Sequence, residues 1–120
     1  MAINRIEVEV LKSRAALKAF AKTWKRVEAN EHVTPRLAFA SLHDLFSALT
    51  EKRLELMRFV ASRDGLNTHQ LSQRLERNYK NVHTDVVALV ELGLLEKNEQ
   101  GTLTAPFDEI VIRAGLRDAA

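Results

Sequence analysis

Residues 66–97 read LNTHQLSQRLERNYKNVHTDVVALVELGLLEK, and this stretch decides the fold that we expect. Asn67 and Gln70 stand three residues apart, the spacing of a capping box in which the side chain and backbone of each residue exchange hydrogen bonds. The helix that they open is short, because Glu76, Arg77 and Asn78 follow as a polar turn. The sequence therefore predicts a brief helix that ends in a tight turn.

A longer helix follows this turn, from about residue 79 to residue 92. Val82, Val86 and Leu89 recur at steps of three and four, which places them on one buried face, and Gly93 ends the helix. Two short apolar segments then flank residues 98–101, whose sequence NEQG is typical of a hairpin turn.

A further helix precedes the stretch, starting at Thr50 and ending at Asp64-Gly65. The order over residues 50–105 is thus helix, short helix, tight turn, longer helix and β-hairpin. This order is the plan of a winged helix-turn-helix domain. In that plan the longer helix projects from the domain and fits the major groove of DNA.

The N-terminal part adds a strand and a helix. Ile6 and Val8 alternate with Glu7 and Glu9, the period of a half-buried strand, and two more strands are predicted near residues 37–39 and 110–112. Between the first two strands, an apolar stripe at helical spacing predicts a helix, and it comprises Leu17, Phe20, Trp24 and Val27. We therefore expect an α+β fold, mainly helical: a winged helix-turn-helix with an N-terminal strand–helix extension.

We divide the chain accordingly. Residues 1–40 form the extension, residues 41–113 the DNA-binding domain and residues 114–120 a C-terminal tail. At 120 residues the chain is short, but 46% hydrophobic residues suffice for a core.

Composition excludes several classes of site. Cysteine is absent, which excludes disulfides, thiolate metal sites and cysteine nucleophiles and fits a cytoplasmic protein. The four histidines have no metal-ligand spacing, no glycine-rich loop is present, and no apolar run is long enough to span a membrane. We therefore expect no enzymatic activity, no metal, no cofactor and no membrane association.

The stretch from Tyr79 to Leu94, YKNVHTDVVALVELGL, resembles MarR-type winged helix-turn-helix regulators. Residues 4–113 more narrowly resemble small prokaryotic predicted transcriptional regulators that look like antitoxins encoded beside a toxin gene. Two positions depart from that pattern: Ser72 stands where Ala is usual, and Glu76 stands where Gly is usual. With Glu76 in place, the turn need not use a positive φ.

The outer side of the longer helix is the candidate DNA surface. Its N-terminal half contains no acid before Asp85, and Lys, Asn and Thr donate to phosphates and base edges. The alternative for this side is an ordinary solvated helix face. The candidate DNA-binding residues are Arg77, Tyr79, Lys80, Asn81, His83, Thr84 and, on the hairpin, Lys97. For Lys97, a hairpin that only covers the edge of the core is equally consistent with the sequence.

A homodimer is expected, because a protein that binds a palindromic DNA site needs two recognition helices about one DNA turn apart. The apolar stripe of Leu17, Phe20, Trp24 and Val27 is the candidate dimer interface, and packing of that stripe within one chain is the alternative.

The expected function is sequence-specific binding of double-stranded DNA by a transcriptional regulator that represses its own operon. The alternative is an antitoxin or protein-interaction module whose main partner is a cognate toxin or another protein. Net charge is only +2, so overall charge does not decide between them.

Overall fold

The computed structural model describes residues 3–11 and 34–116. It divides the chain into two units: residues 1–47 together with 109–120 form the first, and residues 48–108 form the second. In chain order the described elements are β1 (Arg5–Val10), β2 (Arg36–Phe39), α1 (Leu42–Ala48), α2 (Glu51–Ser62), α3 (Thr68–Leu75), α4 (Tyr79–Glu91), β3 (Glu96–Lys97), β4 (Leu103–Thr104) and β5 (Glu109–Arg113). This mixture of helices and short strands confirms the α+β class.

The first unit contains a three-stranded sheet in the order β2-β1-β5. The central strand β1 is parallel to both neighbours, and Val8 stands opposite Leu37 on one side and Ile112 on the other. Ile6 and Val8 are buried, as their alternation with Glu7 and Glu9 predicts. The three strands predicted near residues 6–10, 37–39 and 110–112 are all present.

Ionic contacts join the three strands. Glu7 binds Arg36 of β2 and Arg113 of β5, and Glu9 also binds Arg36. The acids of β1 are therefore neutralised by the strands on either side of it.

The division of the chain differs from the one predicted. Because β5 pairs with β1, residues 109–113 belong to the sheet unit, and residues 41–47 do so as well. The sequence division had assigned both segments to a domain of residues 41–113. Pairing between strands about a hundred residues apart leaves no local signal from which the boundary could be read.

The second unit contains α2, α3, α4 and the β3–β4 hairpin. The buried side chains of these elements include Leu56, Val60, Leu71, Val82, Val86, Leu89 and Leu103. The hairpin is antiparallel, and the side chain of Asn98 accepts hydrogen bonds from the backbone N–H groups of Gln100 and Thr102. The helices and the hairpin occur in the predicted order.

The helices begin where their capping residues predict. The hydroxyl of Thr50 accepts from the N–H of Arg53 at the start of α2. At the start of α3 the side chain of Asn67 accepts from the N–H of Gln70 at 2.8 Å, and the side chain of Gln70 accepts from the N–H of Asn67 at 3.0 Å. Both bonds of the capping box are therefore formed.

The helices α3 and α4 end in the same way. After each helix one residue adopts a positive φ, 53° for Glu76 and 78° for Gly93. The following N–H then donates back to the last turn, from Arg77 to the carbonyl of Ser72 and from Leu94 to that of Leu89. Glu76 thus adopts the left-handed conformation that the sequence did not require of it.

Candidate nucleic-acid interface

The N-terminal half of α4 presents an exposed polar surface. Its inner side is fixed by Val82, Val86 and Leu89, which are almost completely buried. Five of the seven predicted DNA-binding residues lie in this half of the helix and are exposed: Tyr79, Lys80, Asn81, His83 and Thr84. We call these five residues the outer face of α4. Burial of an apolar stripe at helical spacing therefore brings them together.

Two hydrogen bonds order the start of this surface. The side chain of Asn78 accepts from the N–H of Asn81 at 3.3 Å and so caps α4. The hydroxyl of Thr84 donates to the carbonyl of Lys80 at 3.0 Å, one turn earlier. The hydroxyl proton of Thr84 is therefore used within the helix, and its oxygen lone pairs and methyl group remain for a ligand.

Asp85 lies on the other side of α4 and binds two arginines. Its Oδ1 accepts from Nε of Arg53 on α2 at 3.0 Å, and its Oδ2 accepts from Nη2 of Arg77 at 2.7 Å. Arg53 also donates through Nη1 to the carbonyl of Ala48 at 3.0 Å. These contacts tie α4 to α2 and to the turn before α4, and we call Asp85, Arg53 and Arg77 the ionic cluster.

The ionic cluster keeps Asp85 charged. Burial of the carboxyl group would raise its pKa, but the hydrogen bonds from Arg77 and Arg53 and the positive charges of both arginines together lower the pKa below the ordinary value of 3.8. At neutral pH the negative charge of Asp85 is therefore present and is matched by two adjacent positive charges. Asp85, the first acid of α4, therefore adds no unpaired negative charge beside the outer face.

Arg77 does not lie with the outer face. Its guanidinium binds Asp85, its side chain is only 20% exposed, and its Nη1 has no hydrogen-bond partner among the described residues. The sequence predicted a phosphate contact for Arg77. The structure gives it a role in holding the turn, and the phosphate contact stays a prediction.

Sequence reasoning missed the ionic cluster, although one signal was available. Asp85 follows Val82 by three residues and precedes Leu89 by four, so it belongs to the inner stripe of the helix. An acid in such a position requires a charged or hydrogen-bonding partner. The sequence does not say which partner, since Arg53 is 32 residues away.

Lys97 lies on β3 of the hairpin and is exposed. Glu96, beside it on the same strand, and Glu99, in the hairpin turn, are exposed as well. The hairpin thus presents one cation with two acids nearby, and the structure does not bring Lys97 into the outer face of α4.

The predicted dimer interface of Leu17, Phe20, Trp24 and Val27 lies outside the described residues. Within the described ranges, three or more His, Asp or Glu side chains nowhere form a group that could hold a metal ion. No helix in those ranges is long and apolar enough to cross a membrane.

Comparison with known proteins identifies one family. Neither a curated protein nor a solved structure matches the chain. Residues 48–112 match the family HVO_A0114, a region that contains the whole second unit and the first four residues of β5 and covers more than half of the chain. The chain therefore belongs to the family HVO_A0114.

Proposed function

We propose that this protein is a transcriptional regulator that binds specific sequences of double-stranded DNA. In this proposal α2, α3, α4 and the hairpin act as a MarR-type winged helix-turn-helix, and α4 enters the major groove. The observation that carries the proposal is the charge arrangement on α4. Its outer face offers donors from Lys80, Asn81 and His83, while the nearest acid of the helix, Asp85, is neutralised by Arg53 and Arg77.

The side chains of the outer face have distinct roles in this proposal. The amide of Asn81 can donate to and accept from adenine, and the ammonium of Lys80 can bind guanine or a phosphate. The hydroxyl proton of Thr84 is engaged by the carbonyl of Lys80, so Thr84 contacts a base through its methyl group or as an acceptor. His83 reads a base edge, and Tyr79 at the helix start contacts the backbone.

We further propose that the regulator is a cytoplasmic homodimer that represses its own operon. Two copies of α4, about one DNA turn apart, would then read the halves of a palindrome. The role is binding and involves no catalysis and no cofactor.

The test begins with selection of a preferred duplex of about 30 base pairs from a random pool. Fluorescence anisotropy then compares this duplex with a scrambled duplex of the same composition. We expect the triple variant Asn81→Ala/His83→Ala/Thr84→Ala to lose about 1–3 kcal/mol of binding free energy per lost base contact and to lose its preference for the selected duplex.

A matched pair of lysines distinguishes the contribution of the outer face to DNA affinity from that of the overall positive charge. Lys80→Ala and Lys52→Ala each remove one exposed cation, but Lys52 lies on α2, away from the outer face. Lys80→Ala should weaken binding and Lys52→Ala should not. Equal effects of the two variants, or full affinity in a folded triple variant, would contradict the proposal.

A second candidate function is protein binding, as expected of an antitoxin. It is favoured by Leu42 and Phe46, which are four residues apart on α1 and are 36% and 58% exposed. Phe46→Ser would abolish binding of a cognate toxin in a pull-down while leaving the DNA affinity of the protein unchanged. Loss of DNA affinity with retained toxin binding would contradict this second role.

A further inference from the structure

Three exposed rings form a row across two helices. His69 lies in the first turn of α3, Tyr79 is the first residue of α4, and His83 follows one turn later. The ring centroids of His69 and Tyr79 are 5.8 Å apart, and those of Tyr79 and His83 are also 5.8 Å apart. The turn through Glu76 is what brings a residue of α3 beside the start of α4. The outer face of α4 thus continues onto α3.

The polar atoms of these rings are exposed and can bind a ligand. None of the three side chains has a hydrogen-bond partner among the described residues, and all three residues are exposed. Imidazole N–H and phenol O–H groups are donors. The ring contacts do not engage these groups, so no described residue uses the imidazole N–H and phenol O–H donors.

Along the chain, the acids nearest the row are Glu76, in the turn between α3 and α4, and Asp85, which binds Arg53 and Arg77. The first turns of α3 and α4, which carry His69 and Tyr79, contain no acidic residue. Anions are also favoured near helix N-termini. At α3, however, the capping box already uses the N–H groups of Asn67 and Gln70. The exposed side chain of His69 adds a donor at this helix end.

We propose that His69 is a further DNA-contacting residue and that it binds a phosphate. This inference rests on the proposed function. With α4 in the major groove, the row leads outward from His83, nearest the bases, through Tyr79 to His69 at the edge of the groove. Successive phosphates of one strand line that edge, so a row of three donors running away from the bases meets the backbone. His69 then positions the protein, whereas His83 reads sequence.

The test uses the selected duplex and its scrambled counterpart with single variants of the full chain. Phosphate contacts carry no sequence information, so His69→Ala should weaken binding to both duplexes by the same factor, of the order of 3- to 10-fold. His83→Ala should weaken binding to the selected duplex more than to the scrambled one. His43→Ala is the matched control, because His43 is an exposed histidine on α1 outside the row.

Two further measurements test whether the group that His69 binds is a phosphate, and which phosphate it is. His69→Gln keeps a donor and should recover most of the lost affinity. A series of selected duplexes, each with one neutral methylphosphonate, should contain a position that weakens binding of the wild-type protein but leaves His69→Ala unaffected. Circular dichroism and thermal unfolding would verify that each variant retains its fold, as expected for an exposed side chain.

The outcomes are distinct. If the wild-type protein prefers no selected duplex over its scrambled counterpart, the proposed function fails, and the inference about His69 fails with it. If the wild-type protein is selective but His69→Ala binds both duplexes with unchanged affinity, only the inference is overturned. It is equally overturned if His69→Ala loses affinity for the selected duplex alone, because His69 would then contact a base.

Discussion

Two acidic residues flank the candidate interface, and they differ in burial, pairing and backbone conformation. Asp85, on α4, is mostly buried and binds both Arg53 and Arg77. Glu76, in the turn between α3 and α4, is exposed and adopts a left-handed backbone conformation with φ of 53°. The charge of Asp85 is matched and stabilises the fold, whereas Glu76 has an unfavourable backbone conformation and adds an acid where phosphate is expected to bind.

Gly93 shows what the position of Glu76 requires. It ends α4 with the same pattern of backbone hydrogen bonds and a φ of 78°, at no steric cost because glycine lacks Cβ. The same backbone motif is therefore formed once with a suitable residue and once with an unsuitable one. An acid beside the candidate interface thus either has its charge matched, as at Asp85, or occurs with a conformational cost, as at Glu76.

The largest expected effect is that of Asp85→Ala. It leaves the guanidinium groups of Arg53 and Arg77, which are 17% and 20% exposed, without their anion. We expect the free energy of unfolding to fall by about 2–3 kcal/mol, measured by urea denaturation. Glu91→Ala is the matched control, since Glu91 is an exposed acid at the other end of α4, and it should change stability by less than about 0.5 kcal/mol. Equal losses in both variants would show that the ionic cluster does not hold α4.

The same carboxylate predicts how stability depends on pH. The pKa of Asp85 is lower in the folded protein than its ordinary value of 3.8, so the stabilisation is complete above that value and is lost as pH falls through the folded pKa. The difference in unfolding free energy between the wild-type protein and Asp85→Asn should therefore be constant from pH 7 to about pH 5 and shrink below about pH 4. A difference that stays constant down to pH 2.5 would mean that the charge of Asp85 contributes nothing.

Local sequence signals predicted the helix boundaries well. The bonds between Asn67 and Gln70 join residues three apart, and Gly93, with its positive φ, stands two residues after the end of α4. The outer face of α4 was predictable for the same reason, because the positions of Val82, Val86 and Leu89 determine which side is exposed. These features depend on neighbours in sequence.

Features that depend on distant residues were not predictable. The position of Asp85 in the inner stripe indicates that its carboxylate requires a partner. That this partner is Arg53 follows only from the packing of α4 beside α2. The pairing of β5 with β1 moved residues 109–113 out of the predicted DNA-binding domain. The row of His69, Tyr79 and His83 likewise depends on the turn, whose left-handed residue is Glu76 and not a glycine.

A smaller effect on the free energy of unfolding is expected when a substitution relieves the backbone strain at Glu76. Glu76→Gly should raise the free energy of unfolding by about 1 kcal/mol, since a left-handed conformation costs a residue with a side chain that much. Glu76→Ala retains Cβ and should bring little gain, whereas Gly93→Ala, which introduces the strain at φ of 78°, should lower stability by a similar amount. Thermal and urea unfolding would measure all three. A gain in Glu76→Ala equal to that in Glu76→Gly would attribute the effect to the removed side chain and not to the backbone.

The smallest expected effect isolates the charge of Glu76 from its conformation. Glu76→Gln keeps the left-handed strain, so stability should change by less than about 0.5 kcal/mol. If α4 enters the major groove as proposed, the turn before it faces the DNA backbone, and removal of the negative charge should strengthen binding to the selected and scrambled duplexes alike. At an exposed site this gain is of the order of 2- to 5-fold at low salt and should disappear at high salt, where the charges are screened. Glu55→Gln is the control, because Glu55 is an exposed acid on α2 outside the candidate interface, and it should leave affinity unchanged. An equal gain from Glu55→Gln would mean that the net charge of the protein, and not the position of Glu76 beside α4, governs the effect.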